Sequence, residues 1–156
     1  MKLIKYAFVV LAVVLVSTYT MSNRDSSQFQ VKIQIKETCD IGTGSSSDMD
    51  FGTIERSTQN VQASANLNVY CTQGTPYHIA LNSEGVLKNI NNNTLKLPYR
   101  LYQDQSMTRE WGNIPAHYYS QHGTGQTQNI TIWGKVPDTN VPAGHYSDQV
   151  TATITY

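Results

Sequence analysis

The sequence predicts an all-β sandwich, and three observations carry that expectation. Apolar and polar residues alternate with a period of two through Val61 to Cys71, Tyr77 to Leu81, Leu95 to Leu101 and Ile130 to Ile132, and no stretch has a convincing helical period. Turn formers separate these runs at intervals that suit six or seven strands in two packed sheets. Charged residues are only 14% of the chain, and the abundance of Thr, Ser, Asn, Gln and Tyr fits strands with one wet face better than helices.

The 156 residues hold one domain. At its start Lys2 and Lys5 precede an apolar run from Tyr6 to Val16, followed by small and polar residues. This is the layout of a secretory signal peptide, assigned to residues 1–22. A retained anchor is the weaker alternative, because a membrane-spanning helix needs about 20 apolar residues; no stable membrane insertion is expected. Candidate small pairs before the cleavage point are Thr18 with Thr20 and Thr20 with Ser22. Without the leader the charge is 9 basic against 11 acidic, since the whole chain has 11 of each and the leader carries Lys2 and Lys5. A near-neutral balance argues against binding nucleic acid through bulk charge.

Residues 23–28 read as a polar lead. In Phe29 to Lys36, Phe29, Val31, Ile33 and Ile35 alternate with Gln30, Lys32, Gln34 and Lys36, which makes a strand with one greasy face. Cys39 and Cys71 are the only cysteines, and an exported chain with two most simply joins them in a disulfide. Closing a loop of about 33 residues contributes roughly 3.7 kcal/mol as an upper figure. Ile41 to Asp48 is a loop rich in Gly and Ser, and Met49 to Ile54 a short extended piece in which Phe51-Gly52 marks a buried aromatic at a tight bend.

Val61, Ala63, Ala65, Leu67, Val69 and Cys71 form the inner face of a principal core strand. Pro76 opens the next, with Tyr77, Ile79 and Leu81 inward, and the spacing predicts a hairpin between the two. Asn89 to Asn93 is a polar turn. Leu95, Leu97, Tyr99 and Leu101 then face inward on a strand that Pro98 confines to an edge or a bulge. Asp104 to Thr127 is the least regular segment, a long loop or frayed hairpin. Alternation returns at Gln128 to Val136, with a bulge expected at Gly134, and Pro137 and Pro142 bracket a connection. The last run, Gly144 to Tyr156, places Tyr146, Val150, Ala152, Ile154 and Tyr156 on one face. The sequence ends within that strand, one strand short of a closed sandwich, and the spare strand is Phe29 to Lys36.

Cys39 with Cys71, Phe51-Gly52 between them, Val69-Tyr-Cys-Thr72, and the closing Gly144-x-Tyr146-x-Asp148-x-Val150-Thr-Ala-Thr-Ile-Thr-Tyr156 resemble the spore coat protein U domain of archaic, Csu-type chaperone/usher pilus subunits. The resemblance implies an incomplete immunoglobulin-like β-sandwich lacking its final strand, residues 37–156, completed by donor-strand complementation. A periplasmic chaperone would lend a strand first, and the N-terminal strand of a neighbouring pilin subunit would replace it at an outer-membrane usher. On this chain the donor segment is 23–36, with Phe29, Val31, Ile33 and Ile35 as donor side chains. Tyr156, through its carboxylate, and Ile154 would meet the chaperone. The implied role is a structural pilin exported through the periplasm to a surface pilus for adhesion and biofilm formation; the alternative is a monomeric secreted module binding carbohydrate or another surface.

For that alternative, Trp111, Tyr118 and Tyr119 are candidate platform residues, weighed against packing on the end of the sandwich. His117 and His122 read as exposed loop residues. The sequons at Asn92 and Asn129 carry no expectation in a bacterial pilin. His78, His117, His122 and His145 lack metal-ligand spacing. Asp40, Asp48 and Asp50 lack the regular spacing and closing Glu of a calcium loop. No local motif indicates a Ser, His and acid arrangement, so neither an enzyme nor a cofactor is expected.

Overall fold

The computed structural model describes residues 21–43 and 48–156. The signal peptide read over residues 1–22 therefore lies outside the described residues except for its last two, and so does the middle of the loop before Asp48. The chain divides between Gln34 and Ile35 into two compact units. In the first, residues 21–34 take no regular secondary structure.

The described residues of the second unit are all-β apart from one 3₁₀ turn at Pro115–His117. Its strands are β1 (Cys39–Thr43), β2 (Gln59–Cys71), β3 (Pro76–Asn82), β4 (Val86–Asn89), β5 (Lys96–Pro98), β6 (Arg100–Tyr102), β7 (Tyr119–His122), β8 (Thr127–Asp138), β9 (Tyr146–Ser147) and β10 (Thr151–Thr155). They form sheets ordered β1-β2-β8-β6, β10-β3-β7 and β5-β4-β9. The frame is the long antiparallel pair of β2 and β8, in register from Gln59 opposite Asp138 to Tyr70 opposite Thr127. Their inward rows, Leu67, Val69 and Cys71 with Ile130, Ile132 and Val136, share one core with Tyr77, Ile79 and Leu81 of β3. Alternation was the right signal for these faces, because a sheet with one wet side buries every second residue.

Several sequence expectations give way to the sandwich. β2 and β3 are not a hairpin: four residues separate them and β3 belongs to a different sheet. The connection turns on Gly74 at φ 84°, with the Thr75 N–H donating to the Thr72 carbonyl at 3.1 Å. The expected strand through Pro98 divides at Tyr99, so that β5 pairs with β4 at the edge of a small sheet while β6 pairs with β8. Tyr99 at the crossing is buried, and its hydroxyl donates to Asp148 Oδ2 at 2.7 Å. Burial is the main reason that hydroxyl titrates well above the ordinary tyrosine range.

The closing run divides in the same way. β9 pairs with β4 and β10 with β3, leaving Val150 and Tyr156 exposed while Ala152 and Ile154 stay half-buried. The Gly144-x-Tyr146-x-Asp148 stretch makes this division. A Cβ on Gly144 would collide with the buried Asn89 amide, the Tyr146 hydroxyl donates back to the Pro142 carbonyl at 2.7 Å, and Asp148 receives Tyr99. A tyrosine bonded a few residues upstream before this strand is a corner device of immunoglobulin-like sandwiches.

Gly134 is not a bulge. The β2 and β8 register runs through it unbroken, Ala63 opposite Gly134. Its missing side chain leaves room for Met49 and Phe51: a Cβ there would fall on the Met49 sulfur and 3.0 Å from the Phe51 ring. Met49 to Ile54 is accordingly a strap over β8 with no sheet partner, and its bend at Gly52 (φ 78°) is fixed by the Gly52 N–H donating to Asp50 Oδ1 at 2.7 Å. Gly134→Val should lift the strap and lower stability by about 1 to 3 kcal/mol, read as a lower urea midpoint at unchanged slope.

The segment from Asp104 to Thr127 is more ordered than its composition indicated. Asp104 accepts hydrogen bonds from the Ser106 and Thr108 hydroxyls and the Thr108 and Arg109 N–H groups, which hold its carboxyl far below the usual range, the Ser106 bond first. Gln103 Nε2 donates to the carbonyls of Glu110, His117 and Tyr118. Trp111 is buried, and its indole N–H donates to the Ile79 carbonyl at 2.9 Å.

Candidate functional site

The site begins with what the sheets leave unpaired. Among the described residues β1 is hydrogen-bonded only to β2 and β10 only to β3, so each stands at the end of its sheet. The two edges approach within 8 Å between Cα atoms, and among the described residues no strand lies between them. Cys39 and Ile41 on β1 and Ala152 and Ile154 on β10 pack against the core yet remain half-buried. The result is an apolar seam on one side of the sandwich, flanked by two strand edges that pair with no further strand among the described residues. Such an edge can accept a strand, and an apolar face on that strand would cover the half-buried row.

The β1 wall is held from one side only. Cys39 lies opposite Cys71 in the β1 and β2 register, at a Cα separation of 4.1 Å, and the two are joined as a disulfide. One residue earlier, the Thr38 N–H donates to Thr72 Oγ1 at 3.2 Å and the Thr72 N–H to the Thr38 carbonyl at 2.9 Å. The body of the domain is therefore anchored from Thr38 onward, a boundary that alternation alone did not mark. Cys39→Ser with Cys71→Ser should lower stability by about 3 kcal/mol and fray β1 first, visible as faster amide exchange at Ile41.

The four alternating side chains of the opening segment, Phe29, Val31, Ile33 and Ile35, are 85%, 85%, 86% and 85% exposed. No residue from 23 to 36 belongs to a strand. Four neighbouring large apolar side chains are therefore exposed to water together, where apolar side chains exposed singly are the ordinary case.

At the end of β10, Tyr156 is 58% exposed and Ile154 turns inward. Thr155 and Tyr156 border a shallow groove of about 410 Å³ with Pro76, Tyr77 and His78 of β3 and Ser120, Gln121 and His122 of β7. Burial, and then the neighbouring Tyr119, raises the Tyr77 hydroxyl above its ordinary value.

The aromatic platform considered for sugar binding does not form. Trp111 is buried and stacks on Tyr119 with ring centroids 5.0 Å apart, while Tyr118 stacks on His78 at 4.9 Å. They pack onto β3, because the Trp111 indole needs a buried acceptor and finds one at Ile79. His122 lies in β7 rather than a loop. Among the described residues no group of three or more His, Cys, Asp or Glu could hold a metal ion, and no helix is long and apolar enough to cross a membrane.

Residues 25–153 match the Spore Coat Protein U domain. Protein U of Myxococcus xanthus is 32% identical over 139 residues, covering 76% of this chain and 77% of that protein. Among solved structures, the CsuC–CsuE chaperone–tip adhesion subunit pre-assembly complex from archaic chaperone-usher Csu pili of Acinetobacter baumannii contains a similar chain. The likeness has a TM-score of 0.58 at 21% identity and covers 78% of this chain but 40% of that one. It is a likeness of fold.

Proposed function

This chain belongs to the Spore Coat Protein U domain family, and from that premise we propose that it is a structural subunit of a chaperone-usher pilus. It is exported through the periplasm to the cell surface, and it polymerises by donor-strand exchange into a fibre that serves attachment and biofilm growth. One observation carries the reading. An open apolar seam between β1 and β10 occurs in the same chain as a segment whose four alternating apolar side chains are about 85% exposed.

The donor is residues 23–36, and Phe29, Val31, Ile33 and Ile35 are its inward side chains. Burying them is worth roughly 6 to 12 kcal/mol gross, and each new main-chain hydrogen bond adds about 0.5 to 1.5 kcal/mol. Even after ordering costs such a joint dissociates rarely. Before exchange, a periplasmic chaperone covers the seam and meets the end of β10 through Ile154 and Tyr156; an outer-membrane usher is the site of exchange.

The test is to express the full chain, and a chain lacking residues 23–35, beside the cognate chaperone and to run unheated denaturing gels. The full chain is expected to give a ladder and the truncated chain only a chaperone-bound monomer. A full-length chain that is a stable monomer without any chaperone would sink the proposal.

A further inference from the structure

We propose that the outer face of the β8 and β6 pair binds an acidic polysaccharide, a uronic-acid chain whose sugar rings pack on Trp133 and Tyr102 and whose carboxylates are held by Lys135 and Arg100. This face is not the seam. β2 stands between β8 and β1, so the site does not depend on how subunits are joined. It is also separate from the cluster of Trp111, Tyr118 and Tyr119, which packs onto β3.

Sheet parity puts the four side chains together. Leu101 of β6 and Ile132 and Val136 of β8 are buried, so Arg100 and Tyr102, with Trp133 and Lys135, project from the opposite face. The register sets Tyr102 opposite Trp133 and Arg100 opposite Lys135. An aromatic row therefore lies about 6.7 Å from a cationic row along the strands, and the members of each row stand on strands about 4.8 Å apart. Trp133 and Tyr102 are both half-buried. Each is held against the sheet and keeps part of its surface in water.

Like charges directly opposite one another destabilise a sheet, and Arg100 with Lys135 is such a pair. Glu110, which bridges to Tyr102, answers only the first. Both of its oxygens accept from Arg100 Nη1, at 3.1 and 3.0 Å, so Nη2 and Nε of that guanidinium are left to donate elsewhere. Among the described residues Lys135 has no ion-pair partner, and its other cross-strand neighbour, Gln62, is neutral. A carboxylate arriving over this pair supplies the missing charge.

Beyond the aromatic row the face turns to amides and hydroxyls. Trp133 is opposite Ser64 on β2, and the next two rows are Asn66 with Thr131 and Asn68 with Asn129. Each of these pairs is hydrogen-bonded side chain to side chain at 2.9 Å, which fixes the groups in place. Sugar hydroxyls exchange hydrogen bonds with such groups, and the C–H face of a pyranose ring packs on an aromatic ring, whose face is electron-rich. A bare polyanion would leave the aromatic and amide rows unused. A neutral glycan would leave Lys135 without a partner. A uronic-acid polymer uses all three kinds of row, and an open sheet face suits an extended chain.

The test measures binding of the exported, purified full chain to immobilised polygalacturonate, to its methyl ester and to dextran sulfate. The expected result is binding to polygalacturonate, weakened about tenfold or more in the ester, which keeps the ring and loses the charge. Dextran sulfate, which keeps charge but not the uronate, should bind more weakly as well. Trp133→Ala and Lys135→Gln should each weaken polygalacturonate binding by about tenfold, and Lys135→Arg should retain it. Lys96→Gln, on β5 in a different sheet, should change nothing. Lys135→Gln is the decisive variant, because removing one of two like charges should leave the urea midpoint unchanged or slightly raised.

Equal binding to the methyl ester, or equal binding to dextran sulfate, would overturn the inference by showing that the aromatic row or the charge acts alone. So would undiminished polygalacturonate binding in Lys135→Gln, or no binding by the native chain. If Lys135→Gln alters self-association and leaves polygalacturonate binding as it was, the face is an interface between copies of this chain and the inference is wrong.

Discussion

Ile33→Asp is expected to remove the ladder while leaving chaperone capture intact. The side chain sits near the middle of the apolar row of the proposed donor segment and is 86% exposed. The substitution therefore changes nothing that the domain's own core depends on, and the stability of a chain before polymerisation should stay within about 0.5 kcal/mol of the parent. Inside a neighbour's seam the balance is different. The joint loses the burial of an isoleucine, about 1.5 to 3 kcal/mol, and must also bury a carboxylate or protonate it, which costs several kcal/mol more. Together these effects remove much of the gross stabilisation that four apolar side chains provide.

Gln34→Asp is the matching control. It places the same charge one residue away on the polar face, where it remains in water and the ladder should persist. Loss of both polymer and chaperone complex in Ile33→Asp would instead mean that Ile33 belongs to the subunit's own core.

The parts of this fold that were legible in the sequence are those where a single sheet face meets a single core. In β2 and β8 every second residue is buried, so Val61 to Cys71 and Ile130 to Val136 could be read by parity alone. Parity says nothing about which strand is a neighbour. That is why the Cys71 to Pro76 connection looked like a hairpin, and why the runs through Tyr99 and through Asp148 hid a change of sheet. The long-range bond of Tyr99 to Asp148 serves both divisions and the short-range bond of Tyr146 to Pro142 the second, and neither leaves a periodicity in the sequence. Gly134 was visible only as a break in side-chain size; its cause, the Met49 and Phe51 strap, lies far away in sequence. At the candidate site the alternation of Phe29 to Ile35 was the legible part. The boundary behind it was not, since it depends on the bonds of Thr38 to Thr72 rather than on any pattern in residues 36–39.

Trp111→Ala should be the most damaging single change in the body of the domain. Nothing in the local sequence marks Trp111 as core, because it follows a polar turn and precedes Gly112 and Asn113. Yet it is 2% exposed, its main-chain N–H donates to the Leu101 carbonyl at 2.8 Å, its indole N–H donates to Ile79, and its ring stacks on Tyr119. It thereby ties β6, β3 and β7 together. Removing the ring costs about 3 to 5 kcal/mol by lost burial and the cavity left behind, against a total stability of about 5 to 15 kcal/mol for a typical domain. Trp111→Phe keeps most of the volume and loses the donor to Ile79, so its cost should be nearer 1 to 2 kcal/mol. Urea unfolding of the two variants separates these contributions.

The consequence for assembly follows from β3, which carries both the Ile79 carbonyl and the whole of β10's pairing. A loosened β3 weakens the acceptor wall, whereas residues 23–36 are untouched. In a mixture with wild-type chain, Trp111→Ala should therefore still offer its segment to a wild-type seam but accept none, and it should shorten the ladder by terminating it at one end. A variant that is unstable in urea yet extends the ladder normally would show that the seam is held independently of the β3 and Trp111 contact.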